Sequence, residues 1–127
     1  MAQQFTVRLK NEPGALATLA ETLAERGIDI RWMGAGAAGR SGCAVLMTNN
    51  DSLAREVLRS ARYTFLEGEA LTVAVEDHPG SLARATRRLA EAHVNIQGVL
   101  VLGRRQGKAE LAFSVDDVAR ARKVLEL

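Results

Sequence analysis

Asn11-Glu12-Pro13-Gly14-Ala15-Leu16 returns 66 residues later as Asp77-His78-Pro79-Gly80-Ser81-Leu82. At this offset residues 11–30 lie over residues 77–96, and eight of the twenty positions are identical, so the chain is read as a tandem repeat. The identities fall at Pro-Gly, at Leu16-Ala17 and Leu23-Ala24-Glu25 with their counterparts in the following helix, and at the closing Ile30 and Ile96. Asn11 with Asp77, Ile28 with Val94 and Asp29 with Asn95 are near matches. Each repeat is about half the chain, which places the units at residues 1–68 and 69–127. A unit of this size buries a modest share of its surface, so the halves are expected to share an interface with each other or with a second chain.

Working outward from the motif, Phe5, Val7 and Leu9 alternate with polar neighbours, the period of a half-buried strand. Pro13 and Gly14 turn the chain into a helix striped by Leu16, Leu19 and Leu23, and Gly27 ends it. Ile28, Ile30 and Trp32 alternate in a second strand. Gly34 to Gly42 reads as a glycine-rich connection, and Cys43 to Met47 as a third strand with Cys43 packing in the core. Asp51 or Ser52 is expected to cap a second helix, followed by a strand at Tyr63–Leu66. The second repeat follows the same plan, with His93 where Gly27 stood. The order strand, helix, strand, strand, helix, strand predicts an α+β protein: two ferredoxin-like βαββαβ units in tandem.

The second unit is expected to lack its last strand. In the first repeat that strand is centred near Phe65, 52 residues after Pro13, and the same spacing from Pro79 runs past Leu127. The edge of Leu71–Val75 should then be filled by Tyr63–Leu66, through a turn at Glu67-Gly68-Glu69, or by a second chain. On the strand from Val94 to Leu102, alternation puts Val94, Ile96, Leu100 and Leu102 on one face and Val99 and Val101 on the other. A strand apolar on both faces points to a homodimer or larger assembly.

Other classes are disfavoured. Net charge +2 and a pI near 9.1 demand neither nucleic acid nor a membrane surface as partner. Aromatic residues are 4% of the chain, and the third strands lack the stacking set of an RNA-recognition sheet. Cys43 is the sole cysteine, and His78 and His93 have no companions at ligand spacing, so no metal and no cofactor is expected. With neither a signal-like start nor an apolar run of spanning length, a cytoplasmic location is expected. Gly34 to Gly39 spells G-x-G-x-x-G but leads into a strand, leaving no helix for a phosphate to face. No nucleophile stands with a base, and no catalytic residue is assigned.

A strand ending in Asn/Asp-x-Pro-Gly-x-Leu, a Leu-striped helix and then Gly/His-Ile/Val-Asp/Asn-Ile resembles the ACT domain family of small-molecule sensors. The resemblance covers both repeats. It implies a non-enzymatic regulatory protein binding a small molecule, commonly an amino acid, at interfaces between ACT units. Carried over by position, the ligand-binding residues are Asn11, Glu12, Pro13, Gly14, Ala15 and Leu16 with Asp29 and Ile30. In the second repeat they are Asp77, His78, Pro79, Gly80, Ser81 and Leu82 with Asn95 and Ile96. Amides at each helix start would favour a carboxylate, and the Asn and Asp side chains an ammonium group. With no catalytic or DNA-binding domain attached, output would pass through a protein partner or a change of assembly. Two alternatives stand beside this: a structural or protein-interaction module without ligand, and an acylphosphatase-like hydrolase on the same fold.

Overall fold

The alternating residues of the first strand and the leucine stripe of the first helix close on each other in the computed structural model, which describes residues 2–127. The chain divides into two units, Ala2–Glu67 and Gly68–Leu127. The first carries β1 (Gln3–Lys10), α1 (Ala15–Ala24), β2 (Ile30–Ala38), β3 (Ser41–Thr48), α2 (Asp51–Ser60) and β4 (Phe65–Glu69), whose end runs into the second unit. Then follow β5 (Leu71–Glu76), α3 (Ser81–Glu91), β6 (Ile96–Arg105), β7 (Lys108–Val115) and α4 (Val118–Leu125). The sheets have orders β2-β3-β1-β4 and β5-β7-β6. The fold is α+β, with two ferredoxin-like units in tandem and the second sheet one strand short of the first among the described residues.

In the first unit Phe5 and Val7 of β1 meet Ala44 and Leu46 of β3, Leu19 and Leu23 of α1, and Val57 and Leu58 of α2. Phe65 packs on this cluster, its ring centroid 6.0 Å from that of Phe5. In the second, Leu71, Leu89, Leu111, Phe113, Val115 and Leu125 form the equivalent core. Removing these side chains from water is the main stabilising term in each unit.

Several expectations are corrected. The strand at Tyr63–Leu66 begins at Phe65 and continues to Glu69, and it joins β1, not β5: the Arg8 N–H donates to Thr64 C=O at 2.9 Å. Residues 67–69 are strand rather than turn, and Ala70 alone is too short to reverse the chain into a hairpin. The glycine-rich connection is mostly strand as well. Gly34 and Gly36 pair with Val45 and Cys43, and only Gly39 and Arg40 make the turn. Antiparallel pairing needs backbone amides, not side chains, and Gly39 supplies the positive φ of 65° the turn uses.

Face assignments shift because both second strands contain irregularities. β6 shifts register between Ile96 and Gly98, so Ile96 stands opposite Val115 on the helix side while Leu100 stands opposite Ala112 on the other. An extra residue reverses the alternation downstream. Val99 and Val101, opposite Phe113 and Leu111, stay 39% and 49% exposed, so β6 is not buried on both faces within the chain. Cys43, paired with Arg8, is half-buried on the face away from the helices, where Ala44 and Leu46 occupy the core instead. The cap of α2 is Asn50, whose Oδ1 accepts from Leu53 N–H at 3.1 Å.

Candidate functional site

The two Pro-Gly loops fold alike. Glu12 N–H donates to Lys10 C=O at 3.0 Å and Ala15 N–H to Glu12 C=O at 3.3 Å; His78 to Glu76 and Ser81 to His78 repeat this at 2.9 and 3.3 Å. Gly14 and Gly80 hold φ of 86° and 95°, a conformation L side chains rarely adopt, which explains glycine at both. Each loop is bound to the neighbouring hairpin turn, Asn11 N–H to Arg40 C=O at 3.2 Å and Asp77 N–H to Gly107 C=O at 2.9 Å. Neither α1 nor α3 has a side-chain cap, whereas Asn50 and Asp117 cap α2 and α4. The uncapped first turns leave N–H groups available to a ligand's acidic group.

Beyond this shared backbone the loops diverge. In the first, Asn11 Nδ2 donates to Gly39 C=O at 2.8 Å and so helps hold the hairpin. The space beside the loop is a cleft of about 710 Å³, bounded by Arg8 and Lys10 of β1, Glu12 to Ala15, Thr18 of α1, Arg40 and Ser41 of the hairpin, and Arg62 to Thr64 before β4. In the second, the Asp77 carboxylate accepts from Arg104 Nε at 3.2 Å and Lys108 Nζ donates to Glu76 at 2.6 Å. That hydrogen bond holds the Glu76 carboxyl below its usual range. His78 Nδ1 lies 3.1 Å from Pro79 O and 3.3 Å from Ser81 Oγ, which also accepts from Arg84 Nη2 at 3.3 Å.

Asp29 and Ile30 do not join the first loop. β1 ends at Lys10 opposite Ser41, while Ile30 lies opposite Thr48 at the far end of β3. The seven steps between Ser41 and Thr48 span roughly 23 Å at about 3.3 Å each. Asn95 and Ile96 stand in the same relation to the second loop, Ile96 opposite Val115 and Glu76 opposite Lys108. At these strand starts Asp29 N–H donates to Asn49 Oδ1 at 2.9 Å while Asn49 N–H donates back to Asp29 C=O at 3.1 Å. Asn95 and Asp116 exchange the same pair at 2.9 and 3.1 Å. The Asp29 carboxylate is also 3.0 Å from Arg31 Nε.

Sequence reasoning missed Asn49 and Asp116, which the repeat itself could have flagged, and the basic lining of the cleft. Arg8, Lys10, Arg40 and Arg62 come from three separate stretches, so no charge run announced them. Among the described residues no group of His, Cys, Asp and Glu is arranged to hold a metal, and no helix is long and apolar enough to cross a membrane.

Comparison with known proteins places this geometry. The ACT domain profile matches residues 70–127, and that of the ACT domain pair matches residues 1–73. No curated sequence matches the chain. Among solved structures, protein BT0572 from Bacteroides thetaiotaomicron is similar at TM-score 0.73 and 18% identity, over 98% of this chain and 86% of that one. The regulatory subunit of aspartate kinase from Thermus thermophilus is similar at TM-score 0.64 and 16% identity, over 98% and 89%. That of Thermus flavus is similar at TM-score 0.64 and 18% identity, over 98% and 90%. At such identities these likenesses speak for the fold. With the family profiles matched across both repeats, the chain belongs to the ACT domain family as a tandem ACT domain protein.

Proposed function

We propose that this protein is a non-catalytic regulator that binds a small molecule of the amino-acid class and passes its state to a protein partner or to its own assembly. The observation that carries this reading is the loop fold common to both repeats: a left-handed glycine opening a helix that no side chain caps. Such a turn presents N–H groups and the positive end of the helix dipole to a ligand carboxylate. Membership of a family of small-molecule-binding regulatory domains supports it further.

The distance between the two groups of site residues constrains how a ligand could use both. A molecule of amino-acid size cannot bridge roughly 23 Å, the length of seven strand steps. Contacts to Gly14 and to Asp29 would therefore come from different chains, which supports a homodimer with ligand at an interface.

The second loop favours the ligand-free reading for its own unit, since Asp77, Glu76 and Ser81 are already engaged with Arg104, Lys108 and Arg84. A thermal-shift screen against the twenty amino acids tests the proposal. A ligand at a hundred times its dissociation constant is expected to add about 2.7 kcal/mol of apparent stability. Gly14→Val should abolish that shift and Gly80→Val should spare it; no shift with any amino acid would refute the amino-acid reading.

A further inference from the structure

We infer that the cleft of the first unit binds a small molecule carrying at least two negatively charged groups, and that the corresponding loop of the second unit does not. This rests on the reading of the β1–α1 loop as a ligand site and narrows the chemistry of what it takes. Four cations line the cleft, Arg8, Lys10, Arg40 and Arg62, against one carboxylate, Glu12. The formal surplus is three positive charges. None of the four has an ion-pair partner among the described residues, a state Arg59 shares, whereas Arg26 pairs with Glu56, Arg31 with Asp29 and Arg55 with Glu67. Like charges gathered in one concavity raise its potential and draw in anions. Its volume of about 710 Å³ falls within the usual range of about 300–1,000 Å³ for small-molecule sites.

The second repeat is an internal control. Lys10 ends β1 where Glu76 ends β5, Arg8 stands where Ala74 stands, and Arg40 turns the hairpin where Gly107 does. There the charges neutralise one another, Lys108 with Glu76 at 2.6 Å and Arg104 with Asp77 at 3.2 Å. The basic set around the loop thus belongs to the first repeat alone; in the second unit Arg84, Arg87 and Arg88 line a separate concavity along α3, away from the hairpin turn. It also discriminates between ligands. A neutral zwitterion would bring its ammonium group against four cations. In a molecule with two acidic groups, one can face the first turn of α1 while the other meets the guanidinium groups of Arg40 and Arg62.

Two carboxylates, or a phosphate ester, share this chemistry, and the probes separate them. The full chain is titrated calorimetrically with aspartate, citrate, pyrophosphate and leucine at one fixed ionic strength. At least one of the first three is expected to bind tenfold or more tightly than leucine, and the tightest names the anion class. Arg40→Gln and Arg62→Gly should each weaken it about tenfold, the weight of one charge-assisted hydrogen bond, while Arg105→Gln in the second hairpin should not. Arg62 sits at φ 64°, so glycine there relieves the backbone and the variant stays folded. Equal loss with Arg105→Gln, or none with Arg40→Gln and Arg62→Gly, would overturn the inference. Leucine binding as tightly as the dianions would overturn it while leaving the loop site standing. No response to any of the four probes would remove both.

Discussion

His93 occupies the left-handed conformation at φ 59° that Gly27 occupies in the first repeat at φ 73°. Both follow a helix whose last carbonyls need closing: Ile28 N–H returns to Leu23 C=O at 3.1 Å, and Val94 N–H to Leu89 C=O at 2.9 Å. A side chain in this region costs about 1–2 kcal/mol, part of which glycine returns as lost chain entropy. His93→Gly is therefore expected to raise the urea midpoint by the equivalent of about 0.5–1 kcal/mol; an unchanged or lower midpoint would show that the imidazole contributes to packing. A second expectation concerns pH. The folded Glu76 carboxyl titrates below its unfolded range because Lys108 donates to it. A depressed carboxylate stabilises the fold above its unfolded value, near 4.3 for glutamate, and loses that contribution as pH falls through the folded one. Lys108→Met should move the Glu76 midpoint, followed by carboxyl NMR shifts, back up toward the ordinary range. An unmoved midpoint would mean that the ion pair is not formed in solution.

At the scale of elements, the four helices divide into two kinds. α2 and α4 begin with Asn50 and Asp117 accepting from the N–H of Leu53 and Arg120 at 3.1 and 3.0 Å. α1 and α3 begin with glycine and no side-chain cap. Asn50→Ala and Asp117→Ala should each cost about 1 kcal/mol of stability in chemical denaturation, without changing any ligand response. A change in ligand affinity from either would tie the capped ends to the site. The bulges in β2 and β6 belong to this scale too. Ile30 packs on the core while Trp32, two residues on, stands opposite Met47 on the other face, because the register shifts between them. Period-two reading carried across such a point assigns every later residue to the wrong face.

For the whole molecule, four strands form sheet edges among the described residues: β2 and β4 in the first sheet, and β5 and β6 in the second. Trp32 and Met33 on β2 and Val101 on β6 are each more than two-fifths exposed. Exposed edge strands with large apolar side chains favour pairing with another chain. Light scattering at micromolar concentration is expected to give a dimer mass, and Trp32→Lys with Val101→Lys to lower it toward the monomer; a monomeric wild type would refute the assembly. The sequence by itself determined the repeat, the element order and the αL turns, because Pro-Gly, leucine spacing and alternation are local and act through backbone geometry. It also brought out both loops, whose motif residues lie within six positions of one another. Tertiary structure decided the rest. That β4 pairs with β1 rather than β5 depends on which edge lies within reach once Glu67–Glu69 are spent as strand. That Asp29 stands far from Gly14 depends on strand direction. And Arg8, Arg40 and Arg62 converge only because the sheet brings the end of β1, a hairpin turn and the exit of α2 around one cleft, a meeting that separations of 22 residues and more conceal.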